Sequence, residues 1–150
     1  MNGLENLKVK GRLNIVLKDA NGQVKDTREV DNLVVNAGLA FITSRMAGTS
    51  EAVMSHMAIG SDNTAAAAGQ TDLISILGSR EALDSTTPSS NTIVYVASFE
   101  AGEGTGGVVE AGIFNASTAG TMLCRTVFSV VNKGADDTMT ITWTITLSAS

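Results

Sequence analysis

The clearest pattern in the chain lies near its C-terminus. Met139, Ile141, Trp143, Ile145 and Leu147 share one parity, and Thr138, Thr140, Thr142, Thr144 and Thr146 share the other. A strict period of two predicts a β-strand with one buried face. The same period appears at the other end of the chain. There Val9, Leu13, Ile15 and Leu17 alternate with Lys10, Arg12, Asn14 and Lys18. Asp19-Ala20-Asn21-Gly22 follows and predicts a tight turn, because Asn and Gly both tolerate positive φ. The return strand, 23–32, carries Lys25, Asp26, Arg28, Glu29 and Asp31, the composition of a sheet edge that is either solvated or paired with a partner.

Helical spacing is confined to the first half. Asn36 stands where an N-cap belongs, Leu39, Ile42 and Met46 fall on one face, and Gly48 closes the segment. A second short helix is expected over 71–77, capped by Thr71 and ended by Gly78. Between them, His56-Met57-Ala58-Ile59 predicts a short strand. Ile93, Tyr95, Ala97 and Phe99 alternate with Val94, Val96, Ser98 and Glu100, apolar enough on both parities for a covered strand. Further strands are expected over 108–115 and 121–131, after a glycine-rich connection over 102–107. The architecture that fits is mainly β: an antiparallel β-sandwich, jelly-roll-like, with one or two short helices inserted early. A single domain is expected over 1–150, with 1–8 as an extended N-terminal arm.

Composition narrows the function. The net charge is −5 and the pI about 4.7, against a domain that presents a basic face to nucleic acid. Charged residues make up 17%, while Ser and Thr together number 31. A low-charge, hydroxyl-rich exterior suits surface that lies against other protein. No run approaches the roughly 18 apolar residues of a membrane helix, and the first residues lack a signal-peptide core. Synthesis in a cytoplasm without secretory export is the expectation. Cys124 is the only cysteine, so no intrachain disulfide can form.

Candidate chemistry is sparse. His56 is the single histidine, and neither it nor Cys124 sits in a nucleophile motif. Gly102 to Gly107 lacks the Lys and Ser/Thr of a phosphate-binding loop. Asp62, Asn63 and Asp72 do not follow the order of a calcium loop, and Glu103 with Glu110 implies no acid–base pair. No catalytic, cofactor or metal residue is assigned, and no cofactor is expected. The aromatic platforms of a glycan site are also missing, since Tyr95 and Trp143 take inward parities. Glu110 and Arg125 stand out differently. Both lie in apolar β segments where a lone charge is costly to bury. They are expected either to form a structural ion pair, within the chain or across an interface, or to be exposed. Asn21, Gly22, Lys25 and Arg28 are the candidate partner-contact hairpin.

The order of short motifs carries a resemblance. Asn32-Leu33-Val34-Val35-Asn36-Ala37-Gly38 is followed by Met57-Ala58-Ile59-Gly60, by Thr71-Asp72-Leu73 with Arg80, and by Val94-Tyr95-Val96-Ala97-Ser98-Phe99. Glu110-Ala111-Gly112-Ile113-Phe114-Asn115, then 120–128 with Cys124-Arg125, and Thr140-Ile141-Thr142-Trp143-Thr144-Ile145 complete it. From about Asn32 onward this resembles small virion proteins of tailed bacteriophages. One branch is the capsid cement or decoration proteins; the other is the N-terminal attachment module of tail-fibre and collar proteins. The resemblance implies a non-enzymatic structural protein on the outer capsid surface. It would bind the major capsid protein, self-associate as a dimer or trimer, and contact neither nucleic acid nor membrane. A tail or neck adaptor is the alternative it implies.

Overall fold

The computed structural model describes residues 7–49 and 51–149. In chain order the elements are β1 (Leu7–Lys18), β2 (Val24–Val34), α1 (Asn36–Met46), β3 (His56–Gly60), β4 (Glu81–Ala82) and β5 (Ser85–Ser89). They continue with β6 (Thr92–Phe99), β7 (Gly106–Phe114), β8 (Met122–Lys133) and β9 (Thr138–Ala149). All strand pairs are antiparallel, in the order β4-β3-β7-β8-β2-β1-β9-β6-β5. The result is a mainly β fold, one antiparallel sheet curled into a half-barrel. The expected mainly β, antiparallel character with a short helix in the first half is met. Of the expected arm over 1–8, residues 1–6 lie outside the described residues, while Leu7 and Lys8 already belong to β1, opposite Ala149 and Ser148.

Two segments make the curl. β2 pairs with β1 from Val24 to Asn32 and then hands over to β8 at Leu33 and Val34. At the opposite side, β4 pairs with β3 and β5 with β6, although only Leu83 and Asp84 separate them. Strands that change partner at a bend turn the corners of a curved sheet. Inward residues from both halves then meet in one core. Leu13, Ile15, Phe99, Ile141 and Trp143 come from one half, and Met57, Ile59, Ala111, Ile113 and Cys124 from the other. The alternation of β9 is reproduced: Met139 to Ile145 are buried and the threonines half-exposed.

Several local expectations change. The turn after β1 uses Asp19 more than Asn21: its Oδ1 accepts the Asn21 and Gln23 N–H groups, both at 2.9 Å. Only Gly22 takes a positive φ there, +80°. In α1, Val35 is the N-cap and Asn36 is the first helical residue. Of the expected face Ile42 turns to the core, joined there by Phe41, while Leu39 and Met46 are exposed. The helix can lie close to β8 because Gly38 meets the Leu123 backbone, where any side chain would clash.

The second helix is absent. Over 71–77 the chain is an irregular loop with one bridge from Ile76 to Gly60. Its backbone donors are drawn elsewhere. The Ile74 and Ser75 N–H groups donate to the Glu110 carboxylate, and Leu77 N–H donates to Ile59 C=O. A helix capped by Thr71 would need the Ser75 and Leu77 donors for its own i−4 bonds.

Candidate functional site

The loop over 61–78 covers the outer face of β3 and β7, so these strands are buried on both sides. Leu73 joins Ala58, Phe114, Met122 and Val35 in a small second core beneath it. Gly60 permits this approach, since a Cβ there would meet Ser75 C=O and the Glu110 side chain.

A buried polar hub fastens the loop. Glu110 and Arg125 are both fully buried, and Arg125 NH2 lies 3.0 Å from Glu110 Oε1. Arg125 Nε donates to the same oxygen at 3.1 Å. The carboxylate also accepts the Asp62 N–H at 3.1 Å, Ile74 at 3.0 Å and Ser75 at 2.9 Å. Arg125 NH1 reaches Thr64 C=O at 2.8 Å and Gln70 Oε1 at 3.0 Å. Of the placements left open for these two charges, exposure or a pair within or between chains, the structure has the pair within one chain. Isolated, either charge would be costly to bury; together, with their remaining donors and acceptors engaged, they are tolerated.

A second arginine clamps the adjoining hairpin. Arg80 stacks over the Phe114 ring, 3.6 Å from its centroid. Its NH1 donates to Ala116 C=O at 2.9 Å and Ala119 C=O at 2.8 Å. Beside it, an open cleft of about 540 Å³ runs between 72–80 and 117–119. Ile74 and Ile76 are exposed at this cleft. Arg80 was legible only as part of a motif. The signal was its being the lone charge in the neutral stretch 73–80.

The residues of the candidate hairpin divide. Asn21 and Gly22 form the exposed tip. Lys25 Nζ binds Asp137 Oδ2 at 2.7 Å, in the turn before β9. Arg28 is held by both Asp26 oxygens at 3.0 Å and donates to Ser129 and Val130 C=O of β8. Those carbonyls belong to a bulge, where β8 slips against β7 between Val108 and Glu110. Lys25 and Arg28 therefore fasten the hairpin to the body. The hydrogen bond from Lys25 and then that from the Gly134 N–H hold the Asp137 carboxyl below the usual range. Sequence reasoning missed Asp137 and buried Lys133, whose Nζ donates to Glu100 C=O at 2.8 Å. Burial pulls the Lys133 pKa down.

The other candidates are structural in placement. His56 Nδ1 lies 2.8 Å from Ser55 Oγ. Cys124 is buried in the core, which pushes its thiol pKa well up. Burial likewise moves the Tyr95 phenol up to about 12. Asp62 accepts the Thr64 N–H, and Asp72 accepts the Leu73 N–H. Glu103 accepts the Glu100 N–H inside the glycine-rich turn. Among the described residues, no group of three or more His, Cys, Asp or Glu side chains converges on a point. No helix of the described residues is long and apolar enough to cross a membrane.

Comparison with known proteins gives no match to a family model, a curated protein or a solved structure.

Proposed function

We propose that this chain is a non-enzymatic structural protein of a tailed-bacteriophage virion. In this reading it is a capsid cement protein on the outer surface, bridging neighbouring major capsid protein subunits around the DNA-filled head. One observation carries the reading: residues quoted for the resemblance form two loop-holding clusters. Glu110 and Arg125 hold 61–78, and Arg80 on Phe114 holds the 116–119 hairpin. These charges are spent inside the protein, on keeping loops rigid. A rigid, sparsely charged loop surface loses little entropy on docking, which favours repeated protein–protein contact. The two halves of the curled sheet would act as the layers of a jelly-roll-like sandwich. Many modest contacts, repeated over a lattice, would sum to a stabilised shell.

Copy number per purified virion tests this, by quantitative mass spectrometry against the major capsid protein. Copies on the order of hundreds are expected of an icosahedral lattice site. About six to eighteen, a ring symmetry, would replace cement with a tail or neck adaptor. Absence from the particle would overturn both.

A further inference from the structure

A second cavity, of about 340 Å³, opens between α1 and the inner face of β5 and β6. It shares no residue with the cleft beside Arg80. Phe41, Met54 and Ile93 give it an apolar wall, which exposed Val53 extends. Thr86 of β5 stands directly opposite Tyr95 of β6, so both side chains lie on one side of the sheet. Tyr95 is 6% exposed and packs in the core. Its hydroxyl has no hydrogen-bond partner among the described residues. Among them, however, the side-chain atom that is both sealed from solvent and unpartnered is Asn32 Nδ2. The Tyr95 hydroxyl therefore opens to a space, and the cavity that Tyr95 lines is that space. Burial pushes the phenol pKa up to about 12, so the hydroxyl keeps a proton to donate.

Among the described residues, Arg45 is the one charged side chain that lines the cavity. Its Nη1 donates to Glu51 C=O at 2.8 Å, and four further N–H groups of the guanidinium remain. The nearby Glu51 carboxylate is engaged elsewhere, by Asn115 Nδ2 and Thr121 Oγ1. An apolar wall with a few convergent polar groups is the make-up of a small-molecule site: the wall supplies affinity and the polar groups fix orientation. Here both polar groups donate and one is a cation, so the matching head accepts hydrogen bonds and carries negative charge. We propose that this cavity binds a small apolar carboxylate. Its body lies against Phe41, Met54 and Ile93, and its head is taken by the Tyr95 hydroxyl and the Arg45 guanidinium. An apolar cavity of about 150 Å³ holds benzene. A space of about 340 Å³ therefore takes a body of roughly eight to twelve carbons. The inference does not depend on the virion assignment.

Calorimetric titration of the full chain with octanoate tests it, with amide shifts in NMR spectra locating the contact. Saturable binding with a dissociation constant below about 1 mM is expected, with the shifts gathered at 41–45, 53–54, 86 and 93–95. Acetate, which lacks the apolar body, is expected to give no saturable binding. Octylammonium, repelled by Arg45 and unable to accept from Tyr95, is expected not to compete. Tyr95→Phe removes a hydroxyl that no described residue uses, so Tm should hold while octanoate affinity falls about tenfold. Arg45→Gln, at an exposed position, should weaken binding about threefold. Thr86→Trp fills the cavity from an exposed strand and should abolish binding, with a thermal melt showing the fold intact. No saturable octanoate binding, shifts gathered elsewhere, octylammonium bound as tightly as octanoate, or equal octanoate affinity in Tyr95→Phe and wild type would overturn the proposal.

Discussion

Across β1, β9 and β6 the register runs without interruption, from Leu7 opposite Ala149 to Phe99 opposite Met139. Across β7 and β8 it slips twice, at Val108/Glu110 and at Ile113/Phe114. The first region buries one face and leaves threonines half-exposed on the other, so apolar contact on one side suffices. The second region is covered on both faces, and its outer cover is a loop. The loop satisfies part of its own backbone, as in Ser61 N–H to Ser75 C=O and Gln70 N–H to Ala67 C=O, and side chains from the strands take up further groups. Glu110 of β7 and Arg125 of β8 do this for 61–78, while Arg80, just before β4, does the same for the carbonyls of Ala116 and Ala119.

The largest effect should come from breaking the hub. Arg125→Met leaves Glu110 charged, buried and without its cation, at an expected cost of about 3–5 kcal/mol in denaturant unfolding. Trp143→Ala, in the regular half, should cost about as much, ~3–5 kcal/mol, by opening a cavity. Hydrogen exchange separates the two. Arg125→Met should release the Ile74 and Ser75 amides well before those of β9, whereas Trp143→Ala should lower protection in both regions. Equal loss from either variant would erase the distinction drawn here. Replacing both charges, with Glu110→Leu added, should cost less than the two single changes summed, because neither leaves an unpaired ion behind.

A smaller loss is expected at the helix. Gly38→Ala drives a methyl group into the Leu123 backbone and should cost about 1–3 kcal/mol, read as a lower Tm. Glu110 hub amides should keep their protection in this variant, since the Glu110 and Arg125 bonds go to Asp62, Thr64, Gln70, Ile74 and Ser75 and α1 meets the loop at Asn36 N–H and Ala68 C=O instead.

The smallest effect concerns the fastening of the hairpin. Asp137 is held below the usual carboxylate range, chiefly by the hydrogen bond from Lys25. A depressed carboxylate pKa contributes stability above its unfolded value, about 3.9, and that contribution is lost as pH falls through the folded value. Wild type should therefore lose more Tm than Asp137→Asn between about pH 5 and about pH 2. Parallel curves would mean that the Lys25–Asp137 contact adds nothing.

The regular half was legible from its residues. Alternation in 139–147 and in the first strand is a local property, and the structure repeats it. The ion pair was half legible: Glu110 and Arg125 interrupt apolar runs, which left pairing and exposure both open until the structure placed both in the core. The 71–77 helix was misread for a related reason. Its spacing suits a helix, but Glu110, distant in sequence, captures two of its N–H groups. Lys25 and Arg28 looked free for a partner, yet their acceptors arrive from β8 and the turn before β9.

By itself, then, the sequence determined the periods, the turn at Gly22, the mainly β character and the choice facing two charges, to pair or to stay exposed. These depend on neighbours within a few residues, or on the cost of burying charge wherever it lies. Only the tertiary structure decided the strand order, the bends at β2 and between β4 and β5, and the loop laid over β7. Each of those depends on which backbone groups are left unpaired once the sheet has curled, and hydrogen-bonding groups far apart in the chain settle that together.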